Sequence, residues 1–174
     1  MQFNVAQLMK ERTGATRNYA VRENIENLDP DLVVLDELAG DIQLLRTIDG
    51  VLATGELTTT AGLVCDRCLT PFAQPLRIDL ADEFKPSLDM VSGASLPIRD
   101  DDEGNVIDAH HILDLQEVVR QRLLLEQPLH PLCRDECRGL CPHCGQNLNE
   151  GRCACDEPTT DPRWAALREL LSSR

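Results

Sequence analysis

Hydrophobic and polar positions set out a β-rich chain before any composition is counted. Ile42–Ile48 and Val51–Thr58 are rich in β-formers and flank Asp49-Gly50, a dipeptide that accepts the positive φ angles of a two-residue turn. A hairpin is expected there. In the next run Leu76, Ile78 and Leu80 share one face while Arg77 and Asp79 share the other, and the strand should continue to Phe84. The three strands read as an antiparallel meander, with Cys65 and Cys68 at the turn between its second and third members.

Residues 85–106 break the pattern with Pro86, Gly93, Pro97 and the acidic run Asp100-Asp101-Asp102-Glu103, and read as a long solvated loop. A helix follows over about 114–126. Asp114 is its expected N-cap, and Glu117 three positions on resembles a capping box. Leu115, Val118, Val119 and Leu123 form its buried stripe, and Pro128 and Pro131 end it. A short last helix is expected from Asp161-Pro162, with Trp164, Leu167 and Leu171 inward. Phe3–Met9 fits a strand or a short helix, and the pattern leaves both open. The expected fold is α+β: an antiparallel β-meander or barrel-like core with a few helices and a zinc-bound, Cys-rich C-terminal segment. Residues 1–127 would form an acidic β-rich domain and 128–174 a Cys-rich tail, packed as one structural unit.

Composition sharpens this. A chain of 174 residues with 42% hydrophobic side chains suits one packed domain. No apolar run reaches the ~18–20 residues that span a bilayer, and Met1–Gln7 lacks the pattern of a signal peptide. A cytoplasmic protein without membrane partners is expected. The net charge is −13, which argues against a general nucleic-acid binder, since phosphate affinity comes chiefly from Lys and Arg. The charge is uneven: residues 1–127 carry 11 basic and 23 acidic side chains, residues 128–174 six and seven. The acidity therefore argues against the first 127 residues as an RNA surface, and it makes basic proteins a rival partner.

Six of the eight cysteines lie in the near-neutral tail. Without a secretory signal, so many cysteines point to metal or redox chemistry rather than a disulfide framework. Cys141-Pro142-His143-Cys144-Gly145 followed by Cys153-Ala154-Cys155 supplies four thiolates within 15 residues, a closed site for which zinc is the expected ion. An iron–sulfur cluster is the alternative. His143 lies inside the knuckle and is expected to be exposed. Cys65-Asp66-Arg67-Cys68 and Cys133-x3-Cys137 remain. They could form a second four-thiolate site, or Cys133 and Cys137 could join the tail site, and counting alone does not choose. A thioredoxin-like role for Cys65 and Cys68 would need the pair to open a helix, whereas Pro71 and Pro75 and strands surround it.

Closed all-thiolate sites leave no position for a catalytic water. His110-His111 beside Asp108 suits a surface loop better than an ion site, His130 sits in no catalytic context, and phosphate-binding glycine motifs are absent. No enzyme and no small-molecule substrate are expected.

Val64-Cys65-Asp66-Arg67-Cys68-Leu69 with Pro71-Phe72 resembles the mid-chain signature of the YceD-like family. The run from Cys133 through Cys137-Arg138-Gly139-Leu140-Cys141-Pro142-His143-Cys144-Gly145-Gln146-Asn147-Leu148-Asn149 to Cys153-Ala154-Cys155 is similar to its second signature, and Asp161-Pro162-Arg163 through Leu167 to its closing segment. Members of that bacterial and plastid family are described as large ribosomal RNA subunit accumulation proteins. The resemblance implies a factor needed for normal 23S ribosomal RNA levels, with ribosomal RNA or ribosomal proteins as partners. Members vary in how many tail cysteines they retain, and the full set here fits two zinc ions. Three readings follow: an assembly factor, an acidic module that holds basic ribosomal proteins, and a thiol- or zinc-responsive regulator. Any direct RNA contact would fall to Arg134, Arg138, Arg152, Arg163 and Arg168, whose plainer role is to balance the charge of the metal-bound thiolates.

Overall fold

A computed structural model describes residues 1–26, 28–89, 93–97, 105–155 and 163. Strand β1 (Gln2–Asn4), helix α1 (Ala6–Lys10), strands β2 (Thr16–Glu23), β3 (Leu38–Arg46), β4 (Val51–Val64), β5 (Pro71–Pro86), β6 (Val106–Ile107) and β7 (Ile112–Asp114), and helix α2 (Gln116–Glu126) follow in chain order. Strands β2 to β6 form one sheet in sequence order, antiparallel until β6 pairs parallel to the end of β5. β1 and β7 form a separate antiparallel pair. Residues 3–9 thus hold both of the forms that their pattern left open.

The meander is present and longer than expected. β4 and β5 pair continuously from Val51↔Phe84 to Val64↔Pro71. Pro71 and Pro75 are tolerated because β5 has no neighbour on its other side until β6 joins at Lys85. Alternation then builds the core: Val51, Ala53, Leu57 and Ala61 of β4 and Leu76, Ile78, Leu80 and Phe84 of β5 are buried. Val118, Val119 and Leu123 of α2 pack on them, with Leu8 and Met9 of α1 in the same cluster. Leu115 is buried too, so the whole expected stripe is inside.

Three expectations are corrected. The sheet stays open, with no barrel closure among the described residues, because β2 and β6 lie at opposite edges and helices cover the inner face. The β3–β4 loop is Thr47–Gly50 rather than a two-residue turn, since Arg46 pairs with Val51. The Thr47 hydroxyl oxygen accepts the Gly50 N–H at 2.9 Å, and the backbone comes so close to β5 that a Cβ on Gly50 would lie 2.0 Å from the Phe84 carbonyl oxygen. Glycine is needed here for approach, not for a positive φ. Finally, the N-cap is Leu115 rather than Asp114, which ends β7 and accepts the Gln116 N–H at 2.9 Å from one residue further out, and Glu117 does not complete a capping box. It turns instead to Arg120, which also reaches Asp29 at 2.7 Å. The expected last helix, with Trp164, Leu167 and Leu171, and the acidic run 100–103 lie outside the described residues.

The Arg120 contacts give a pH dependence. Arg120, then Gln121, holds the Glu117 carboxyl at about 2 against an ordinary 4.5. Asp29 is lowered as well, first by the Asp31 N–H and then by Arg120. Carboxyls depressed on folding stabilise above their unfolded values, and the contribution is lost as pH falls from about 4.5 toward 2. Arg120→Gln should therefore lower the urea midpoint at pH 7 and flatten its decline between pH 5 and pH 3. An unchanged acid limb would refute the assignment.

Candidate metal centres

The turn between β4 and β5 spans residues 65–70 and closes tightly around its two cysteines. The Cys65 carbonyl accepts the Leu69 N–H at 2.9 Å, and Cys65 N–H donates to the Thr70 carbonyl at 3.1 Å. Beyond α2, the extended Gln127 before Pro128 delivers the chain back to this turn. Asp66 N–H donates to the Pro131 carbonyl at 2.9 Å, and the Asp66 carboxylate meets His130 Nδ1 at 3.1 Å. Cys133 and Cys137 arrive beside Cys65 and Cys68. The Sγ atoms of Cys65 and Cys137 stand 3.7 Å apart, as do those of Cys68 and Cys133.

The second group is local. Cys141, Cys144, Cys153 and Cys155 gather around a tight turn in which Gly145, at φ 74°, donates its N–H to the Cys141 carbonyl at 2.9 Å. The Sγ atoms of Cys153 and Cys141 are 3.5 Å apart. Within each group all four sulfurs lie within 4.8 Å of one another. A single tetrahedral ion with metal–sulfur bonds of about 2.3 Å places its sulfurs about 3.8 Å apart, whereas a disulfide closes to about 2.05 Å. Both groups could therefore hold a metal ion, and the division is the two-site one that counting left undecided.

Electrostatics fit a cation. Burial raises the Cys65 thiol, but N–H groups of Cys133, Cys68 and Arg67 outweigh it and bring the thiol to about 6. The N–H groups of Cys144 and His143 likewise bring Cys141 to about 6. Burial and then the neighbouring sulfurs of Cys68 and Cys137 push Cys133 up to about 12, and Cys144 and burial do the same to Cys155. Four thiolates this close ionise together only around positive charge.

The two centres are stitched into one unit. Arg67, inside the β4–β5 turn, donates from Nη1 to the Cys137 carbonyl at 3.0 Å, while its own carbonyl accepts the Leu140 N–H at 3.0 Å. Gly139, at φ 73°, passes so close that a Cβ would meet the Arg67 carbonyl oxygen at 2.9 Å. Asn149 donates from Nδ2 to the Cys137 sulfur at 3.3 Å and accepts the Arg138 N–H at 2.8 Å. Cysteine spacing did not reveal Asn149 and Arg67 as supports of the ligands. Their only sequence signal was their place in the quoted motifs. Phe72, Leu132 and Leu140 pack around Cys65, Cys68 and Cys137.

Exposure separates the centres. Cys65, Cys68 and Cys137 are buried, whereas Cys144 and Cys155 are exposed. His143 is exposed and belongs to neither group. His110 and His111 lie in a turn whose N–H groups Asp108 Oδ1 accepts, at His110 and Ile112, both 2.8 Å. Arg134, Arg138, Arg152 and Arg163 are exposed, and Arg168 lies outside the described residues. The first three form no ion pair among the described residues, in contrast to Arg17, Arg77, Arg120 and Arg122. No helix among the described residues is long and apolar enough to cross a membrane.

A family described as "Large ribosomal RNA subunit accumulation protein YceD" matches residues 53–171, from within β4 through both cysteine groups. An uncharacterized protein of Mycobacterium tuberculosis (strain H37Rv) is 32% identical over 150 residues, covering 81% of this chain and 67% of that protein. An uncharacterized protein of Mycobacterium leprae is 28% identical over 134 residues, covering 76% and 58%. A "Large ribosomal RNA subunit accumulation protein YCED homolog 1, chloroplastic" of Arabidopsis thaliana is 31% identical over 58 residues, covering 33% and 18%. No solved structure matches.

Proposed function

This chain belongs to the YceD family, and we propose that it is a non-enzymatic zinc protein that supports accumulation of 23S ribosomal RNA in large-subunit assembly. The family match across both cysteine groups carries the reading. Zinc is the ion that closed tetrahedral sites of four thiolates favour, and it supplies positive charge and cross-linking rather than a reactive position. Cys65, Cys68, Cys133 and Cys137 would hold one ion; Cys141, Cys144, Cys153 and Cys155 would hold the other. Each site then carries a formal −2, which Arg134, Arg138 and Arg152 offset locally.

The working compartment on this reading is the cytoplasm, and the partners are ribosomal RNA or ribosomal proteins. The test is depletion of the chain in its own host, with 23S and 16S ribosomal RNA measured together. A selective fall of 23S, reversed by the wild-type chain and not by Cys65→Ser, is expected; an unchanged ratio overturns the reading. Crosslinks to ribosomal RNA that map to 133–155 would make the contact direct.

A further inference from the structure

A sheet with one face on a core normally turns polar residues outward. The middle of this sheet does so: Asp41 lies opposite Glu56, Glu56 opposite Asp79, and Gln43 opposite Thr54. The far end of β4 does not. Residues 33–35 run extended beside it, where β3 has already ended: Leu35 N–H donates to the Thr60 carbonyl and Gly62 N–H to the Val33 carbonyl, both at 2.8 Å, with Val34 opposite Ala61. Val34 packs against the core. Val33 and Leu35 face out and cover Gly62, where a Cβ would lie 3.2 Å from Val33 Cγ1 and 3.3 Å from Leu35 Cδ2. Val64 continues the same face two residues on. These three side chains are 57%, 54% and 52% exposed, an apolar ridge beyond the polar middle of the face.

The segment that carries the ridge is acidic, and the cations on the adjoining row of the face, Arg22 and Arg77, are taken up by Glu37 and Glu56. Glu26, Asp31 and Asp36 are exposed and form no ion pair among the described residues. No Lys or Arg occurs between Arg22 and Arg46. A cleft of about 530 Å³ opens beside Val33, bordered by Glu26, Asp29, Pro30 and Leu32. The antiparallel pairing also turns the Val34 N–H and carbonyl away from β4, and neither has a partner among the described residues. An extended segment could pair there.

We propose that this ridge docks an extended, lysine- or arginine-rich segment of a partner protein, whose alternate apolar side chains cover Val33, Leu35 and Val64. The acidic segment selects the basic partner. It repels nucleic acid, and it would set like charges against each other in a second copy of this chain. The metal centres play no part, so the proposal stands apart from the ribosomal reading.

The test uses the full metal-loaded chain and a labelled 12-residue peptide of alternating leucine and lysine, with alternating serine and lysine as control. Covering two aliphatic side chains should make the control about 10-fold weaker or worse. Val33→Ser with Leu35→Ser should weaken the leucine–lysine peptide about 10-fold. Asp31→Asn with Asp36→Asn should weaken it several-fold at low salt and reduce its salt sensitivity. Amide exchange should slow at 31–36 on binding. Equal affinity for the two peptides, unchanged binding by both double variants, or protection confined to other segments would overturn the proposal. So would a dimer in sedimentation that the Val33/Leu35 variant dissolves, because the ridge would then belong to a second copy.

Discussion

Cys65→Ser is expected to reduce bound zinc from two ions per chain to one and to destabilise the protein by about 4 kcal/mol. The first centre joins Cys68 to Cys133 across 65 positions. A cross-link that closes a loop of that size removes roughly 4 kcal/mol of unfolded-chain entropy, a metal clip acting here as a disulfide would. Cys65 is fully buried, so serine also leaves a hydroxyl among Phe72, Leu132 and Leu140. Cys144→Ser should likewise lose one ion, but the damage should centre on residues 141–155, where its partners lie, and reach the first centre only through the contacts of Asn149 with Cys137 and Arg138. Elemental analysis reads the ion count, and amide exchange reads where protection is lost. If Cys65→Ser retains two ions, or the wild type holds one that Cys65→Ser leaves in place, the first centre is not a metal site. Loss of protection throughout 128–140 in Cys65→Ser, and not in Cys144→Ser, would show that this centre ties the tail to the hairpin.

Phe84→Ala is expected to cost about 4 kcal/mol, a large share of the 5–15 kcal/mol that holds most domains together. Phe84 is the largest of the fully buried side chains among the described residues. It pairs with Val51 where β4 starts, and β6 joins β5 at the next residue. The Gly50 backbone closes against its carbonyl, so the site cannot collapse to refill the space. Leu129→Ala is the control: Leu129 is 94% exposed, and such changes stay within about 0.5 kcal/mol. Urea midpoints at constant slope measure both. A loss under 1 kcal/mol for Phe84→Ala would mean that the β5–β6 junction is loosely packed.

The same asymmetry, local signal against distant partner, explains what could be foreseen. Leu76, Ile78 and Leu80 announce their strand because alternation is written in adjacent residues. α2 is legible because four apolar positions recur at helical spacing. β2 was not anticipated, because its Thr16–Glu23 run exposes most of its side chains and holds its place only through pairing with β3. β6 and β7 are two and three residues long, too short for any periodicity. Glu117 carried a capping signal, but the helix caps at Leu115, one residue later than the pattern suggested, and Glu117 pairs with Arg120 one turn on.

By itself the sequence determined the strands with strict alternation, the amphipathic helix and the clustering of Cys141, Cys144, Cys153 and Cys155, which fall within one short turn-rich ribbon. Only the tertiary structure decided that the sheet stays open, that Cys65 and Cys68 meet Cys133 and Cys137 rather than leaving them to the tail, and that Val33 and Leu35 share a face with Val64. The physical reason is range. Periodicity and close ligand spacing are properties of a few consecutive residues, whereas each of those outcomes depends on long β-pairing that brings together segments far apart in the chain.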